Sequence, residues 1–129
     1  MNTTGSSKRV LVVDDDRSLL RLIQHWLATG GYAVEVCASF EDAKEHLAHS
    51  PPDVLLTDVR LGAFNGLQLV ILAKELRPET VAVVMSAYDD PTLRKEAWLC
   101  GASYVQKPFT GEAILHSIAD TPPTEVAIS

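Results

Sequence analysis

Six side chains in this sequence have types and spacing that could do chemistry together: Asp14, Asp15 and Asp16 in a row, then Asp58, Ser86 and Lys107. Carboxylates crowded into one place repel, so either one takes up a proton or a cation neutralises the group. An all-oxygen donor set with open positions suits magnesium, which keeps waters and accepts phosphate oxygens. A hydroxyl and an ammonium beside it add a hydrogen-bond donor and a compact positive charge. Each piece also has a plainer reading. Acids at strand ends are often loop solvation, Asp16 suits the N-cap of a helix opening at Arg17, and a lone Ser or Lys is more often structural or solvent-facing. The choice between readings turns on whether the fold brings these residues together.

Five short apolar runs, rich in β-branched residues, alternate with helical patterns. The runs are Arg9 to Val13, Ala33 to Cys37, Val54 to Thr57, Val81 to Met85 and, more weakly, Ser103 to Val105. Runs apolar on both faces are what parallel strands covered by helices on both sides require. Leu19, Leu20, Ile23, Trp26 and Leu27 mark a helix over 17–29, stopped by Gly30-Gly31. Ser39 with Asp42 three residues on opens a second helix, which runs to His49 and ends at Pro51-Pro52. Leu67, Val70, Ile71 and Leu76 pattern a third; Leu93, Ala97 and Cys100 a fourth, closed by Gly101; and Ile114, Leu115 and Ile118 a fifth after Gly111. Strand and helix alternating five times predict a doubly wound (βα)5 three-layer α/β sandwich with a parallel sheet. In such folds the working site lies at the carboxyl ends of the strands. Asp14 to Asp16 follow the first strand, Asp58 ends the third, Ser86 follows the fourth and Lys107 lies just past the fifth. All of them therefore converge on one crevice.

Composition narrows the class. The chain has 129 residues, 47% hydrophobic and 22% charged, which suits one globular domain and excludes a disordered acidic tail. Its net charge of -6 argues against direct nucleic-acid binding, which needs a basic face. Cys37 and Cys100 are too few for a disulfide framework and read as small core hydrophobes in a reducing compartment. No signal-peptide pattern or apolar span is present, so a cytoplasmic domain without membrane contact is expected. Residues 1–8 read as a flexible leader, 9–120 as the domain and 121–129 as a tail or the start of a linker.

Between Lys8 and Ala119 the residues resemble the receiver domain of two-component response regulators. The resemblance rests on V-L-V-V-D-D-D at 10–16, L-L-T-D at 55–58 with N-G at 65–66, M-S-A at 85–87 and Y-V-Q-K-P-F at 104–109. It implies a flavodoxin-like sheet of order 2-1-3-4-5 and a phosphoacceptor role in bacterial phosphorelay signalling. Asp58 would be the nucleophile toward phosphohistidine on a sensor histidine kinase or phosphotransfer protein. Asp15, Asp58 and the backbone carbonyl of Arg60 would bind Mg2+ (or Mn2+), with Asp14 acting mostly through metal-bound water. Lys107 and Ser86 would hold phosphoryl oxygens. Tyr104 would turn inward as Ser86 moves, switching the surface of the fourth helix, fifth strand and fifth helix. The domain would catalyse only its own phosphorylation and dephosphorylation. An output domain or effector protein, and a phosphorylation-dependent homodimer, are compatible partners.

Three features depart from the usual receiver pattern. Gly62 stands where proline is common, which should loosen that loop. G-A-S-Y at 101–104 is one residue short before the lysine, leaving the seat of Tyr104 open. Arg60 and Tyr88, two residues beyond Asp58 and Ser86, occupy positions that in the family influence how water reaches the phosphoryl group, and slow self-dephosphorylation is expected. Trp98 lies off its helix's apolar stripe and reads either as covering its own helix or as a partner contact. Rival readings are a haloacid-dehalogenase-like phosphatase using the D-x-D at 14–16, a receiver-like module that never takes phosphate, and a flavin-binding module. The first lacks Gly-Thr after D-x-D, the second leaves a complete site unused, and the third lacks a phosphate loop after the first strand.

Overall fold

In a computed structural model, residues 7–119 are described. The expected leader and tail lie largely outside them, at 1–6 and 120–129. The sheet strands are β1 (Arg9–Val13), β2 (Ala33–Cys37), β3 (Val54–Asp58), β4 (Val81–Ser86) and β5 (Ala102–Gln106). The helices are α1 (Arg17–Thr29), α2 (Phe40–His49), α3 (Leu67–Leu76), α4 (Pro91–Leu99) and α5 (Gly111–Ser117). All strand pairs in the sheet are parallel and their order is β2-β1-β3-β4-β5, the flavodoxin-like order.

Alternation along each central strand builds the layers. Leu11, Val13, Leu55, Ala82 and Val84 face a core shared with Ala43 and Leu47 of α2, Leu69, Val70 and Ala73 of α3, and Ala97 of α4. Val10, Val12, Val54, Leu56, Val83 and Met85 face the opposite way, onto Leu20, Ile23 and Leu27 of α1 and Ile114 of α5. β2 differs: at the sheet edge it is largely exposed, and Val36 keeps 38% of its surface. The apolar run there serves one covered face rather than two. Cys37 and Cys100 are free and half-buried against the first layer, and burial with Asp42 and Glu35 pushes the Cys37 thiol up to about 11. Trp98 is 52% exposed.

Side chains set the helix starts that aim the loops. Asp16 accepts from Ser18 and Leu19 N–H, Ser39 from Asp42 N–H, Asp90 from Thr92 and Leu93 N–H, and Thr110 from Ala113 N–H. Thr110 thus makes Gly111 the first residue of α5. β3 and β4 each run one residue further than their apolar stretches, so Asp58 and Ser86 are the last residues of their strands. Hydrogen bonding of the sheet reaches back to Lys8, whose carbonyl accepts from Ala33 N–H at 2.9 Å.

Candidate functional site

Parallel packing brings the ends of β1, β3, β4 and β5 together. Asp14 follows β1 and is 1% exposed; its Oδ1 accepts from Asp16 N–H at 2.9 Å and its Oδ2 from Lys107 Nζ at 2.7 Å. Lys107 comes directly after β5, and the same ammonium lies 3.5 Å from Asp58 Oδ2. The Lys107 N–H donates to the Ser86 carbonyl at 2.7 Å, which locks the ends of β4 and β5 together. Ser86 is buried, with its hydroxyl accepting from Tyr88 N–H at 3.1 Å. Asp15 is exposed at the rim. One oxygen from each of Asp14, Asp15 and Asp58 lies within 4.8 Å of the others.

Charge in this group is out of balance. Burial raises the Asp58 carboxyl above its ordinary value, and Asp14 adds to the rise; Lys107 and the Arg60 N–H pull it back, and Asp15 pushes it up again. For Lys107, burial opposes the charged form, yet the hydrogen bond and charge of Asp14, joined by Asp58, outweigh it and raise the ammonium. One ammonium thus answers two carboxylates, with that of Asp15 close beside them. A hard divalent cation suits this group, because the converging ligand atoms are all carboxylate oxygens, with no histidine or thiolate among them.

Residues around the mouth meet in ways their spacing alone does not show. The Arg60 N–H donates to Asp58 Oδ1 at 3.4 Å, while the Arg60 guanidinium lies 5.0 Å from the centroid of the Tyr88 ring. The two access positions are therefore one cation–π pair, joined by backbone to Asp58 on one side and Ser86 on the other. Tyr104 pairs with Val84 across the sheet, half-buried, and its hydroxyl donates to the Tyr88 carbonyl. Arg94 stacks over the Tyr104 ring at 4.4 Å and is held by Asp89 at 2.9 Å. Gly62, at φ +62, turns a hairpin in which Arg60–Leu61 pairs with Phe64–Asn65. That loop is tied by its own small ladder, and Phe64 stacks on Phe40 of α2 with centroids 4.5 Å apart. The hairpin had a legible signal in Gly-Ala between Leu61 and Phe64. The two cation–π pairs had none.

A five-stranded parallel sheet with an acidic cluster and a lysine at its carboxyl ends defines a class of switch-like α/β domains. Residues 10–119 match the response regulator receiver domain, and the chain belongs to that family. It is 36% identical over 104 residues to the DNA-binding transcriptional regulator NtrC of Salmonella typhimurium, covering 78% of this chain and 22% of that protein. To the response regulator MprA of Mycobacterium ulcerans it is 33% identical over 110 residues, covering 84% of this chain and 47% of that protein. The chain thus spans less than half the length of both relatives. Among solved structures, a response regulator from Burkholderia pseudomallei with a phosphorylated aspartic acid, calcium ion and citrate superposes with a TM-score of 0.85 at 26% identity, over 95% of this chain and 72% of that one. A CheY-like receiver domain protein from Methanospirillum hungatei gives 0.79 at 28% identity, over 96% and 100%. The receiver resemblance and the sheet order both hold. Among the described residues, no helix is long and apolar enough to cross a membrane.

Proposed function

We propose that Asp58 accepts a phosphoryl group from phosphohistidine on a sensor kinase or phosphotransfer protein. The observation that carries this is the Asp58 carboxylate itself: 8% exposed, raised by burial and Asp14, and 3.5 Å from the one ammonium at the site. An Asp58 oxygen attacks phosphorus, the P–N bond to the donor imidazole breaks with its electron pair leaving on nitrogen, and an acyl phosphate results. Lys107 pairs with one phosphoryl oxygen and the Ser86 hydroxyl donates to another. Asp15, Asp58 and the Arg60 backbone carbonyl would hold Mg2+ or Mn2+. Asp14 acts through water, in keeping with both of its oxygens already being engaged by Asp16 and Lys107. When bound, the cation supplies positive charge opposite the transferring oxygens. The phosphorylated aspartic acid and calcium ion in the Burkholderia pseudomallei regulator support this assignment.

The new charge, about two units with three acceptor oxygens, draws Ser86 and the backbone that bears Tyr88. Tyr104 is already hydrogen-bonded to that backbone, so the shift reaches the α4–β5–α5 surface, where output domains, effectors or a second copy would read it. The domain turns over no outside substrate beyond its own phosphorylation and dephosphorylation.

Intact mass after incubation with acetyl phosphate and Mg2+ tests the acceptor. One phosphoryl adduct is expected on wild type and none on Asp58→Asn or without metal. An adduct surviving in the variant would move the chemistry to Asp14 and favour the phosphatase reading; no adduct on wild type would favour a phosphate-independent module. The Arg60–Tyr88 pair stands over the approach of water, so the adduct should last minutes or longer. Arg60→Asn is expected to shorten that lifetime, and an unchanged decay rate would remove Arg60 from this role.

A further inference from the structure

The turn that carries Asp58 is held from behind as well as from its mouth. Thr57 is fully buried, and its register with Val13 and Val84 turns its side chain into the layer facing α2, α3 and α4. A hydroxyl therefore stands in a layer whose buried hydrophobic members are all aliphatic. It donates to the Asp58 carbonyl at 3.0 Å. The following carbonyl, that of Val59, accepts the Gly66 N–H at 2.6 Å. Gly66 lies so close that a Cβ there would stand 2.0 Å from the Asp58 carbonyl oxygen and 2.9 Å from Thr57 Oγ1. Only a residue without a side chain lets the start of α3 close on this peptide.

Packing alone does not call for a threonine here. A buried hydroxyl costs free energy unless it is hydrogen-bonded, and valine has the same shape without that cost. The hydroxyl is spent on a single acceptor, the carbonyl of the phosphoacceptor residue. We propose that Thr57 is a positioning residue for phosphoryl transfer: its hydroxyl, confined by Gly66, sets the rotation of the peptide between Asp58 and Val59. The Arg60 N–H reaches Asp58 Oδ1 at 3.4 Å, so carboxylate and turn move as one unit. With the Asp58 and Val59 carbonyls both engaged, the backbone is fixed as far as Arg60, whose own carbonyl is the ligand assigned above. Supporting hydrogen bonds of this kind hold ligands and nucleophiles within a fraction of an ångström of working geometry. The inference rests on Asp58 as acceptor and on the metal ligands named with it.

The test compares wild type, Thr57→Val and Thr57→Ser. Mn2+ affinity is read by calorimetric titration, and the rate of adduct formation with acetyl phosphate is read at saturating Mn2+. Thr57→Val is expected to weaken Mn2+ binding and slow adduct formation by about tenfold each, and Thr57→Ser to keep both within about twofold of wild type. The melting temperature of the valine variant should fall by only a few degrees, because the apolar group fills an apolar layer while the Asp58 carbonyl loses its donor. Wild-type affinity and rate in Thr57→Val would overturn the proposal, as would an equal loss in Thr57→Ser. Wild type that neither binds Mn2+ nor takes the phosphoryl group would instead refute the reading of Asp58 beneath it.

Discussion

Strand β3 ends in one carboxylate and is preceded by another, and the two have opposite fates. Asp53, just before the strand, faces burial but is fully answered. Its Oδ2 accepts from Arg9 N–H at 2.7 Å and its Oδ1 from the Arg77 guanidinium at 2.6 Å, and together these hold it below the ordinary value of 3.8. The same end is closed by Arg9 bonding to the carbonyls of Ser50 and Pro51, and by the buried Thr80 hydroxyl bonding to the Pro52 carbonyl. Asp58, five residues on, shares one ammonium with Asp14 and is held above that same value by burial first and Asp14 second. The closed end fastens β1, β3 and the α3–β4 turn. The other end leaves one ammonium to answer the carboxylates of both Asp14 and Asp58.

The contrast can be broken at its single ammonium. Lys107→Met leaves Asp14 buried without its partner and should cost about 3 kcal/mol, as removing one member of a buried pair does. Denaturant unfolding would read the loss, and Mg2+ should restore part of it. A loss below about 0.5 kcal/mol would mean the carboxylates are far better solvated than their burial indicates.

Acid sharpens the comparison, with smaller effects of about 1 kcal/mol or less. A lowered folded value means Asp53 contributes stability above its unfolded value, lost as pH falls through the folded one. A raised folded value means the folded chain takes a proton on Asp58 before the unfolded chain does. The penalty for ionised Asp58 is therefore present above its folded value and relieved as pH falls toward 3.8. The two ends thus titrate on opposite sides of 3.8. Stability measured against pH in wild type and Asp58→Asn should converge as pH drops from neutral toward that value. Parallel curves would contradict the opposed shifts.

The site was more legible than its supports, for a physical reason. Asp14, Asp58, Ser86 and Lys107 each stand at the end of an apolar run, so alternation of strands and helices alone brings them together. β1, β3 and β4 were legible because burial on both faces leaves continuous apolar stretches, whereas β2 at the edge is covered on one face only. Asp53 carries no such mark: its partners Arg9 and Arg77 lie 44 and 24 residues away. Arg60 and Tyr88 were legible as positions near the mouth, but their stacking depends on how two loops end and no periodicity encodes it. Thr57 read as one more β-branched strand residue, since only the closeness of Gly66 shows what its hydroxyl holds.

One strand is thus bounded by a satisfied carboxylate at its start and a frustrated one at its end. Unfolding free energies of Asp53→Asn and Asp58→Asn in metal-free buffer at neutral pH test this contrast most directly. Asp53→Asn should be destabilised and Asp58→Asn stabilised, each by about 1 kcal/mol. Changes of the same sign, or an Asp58→Asn variant less stable than wild type, would contradict it.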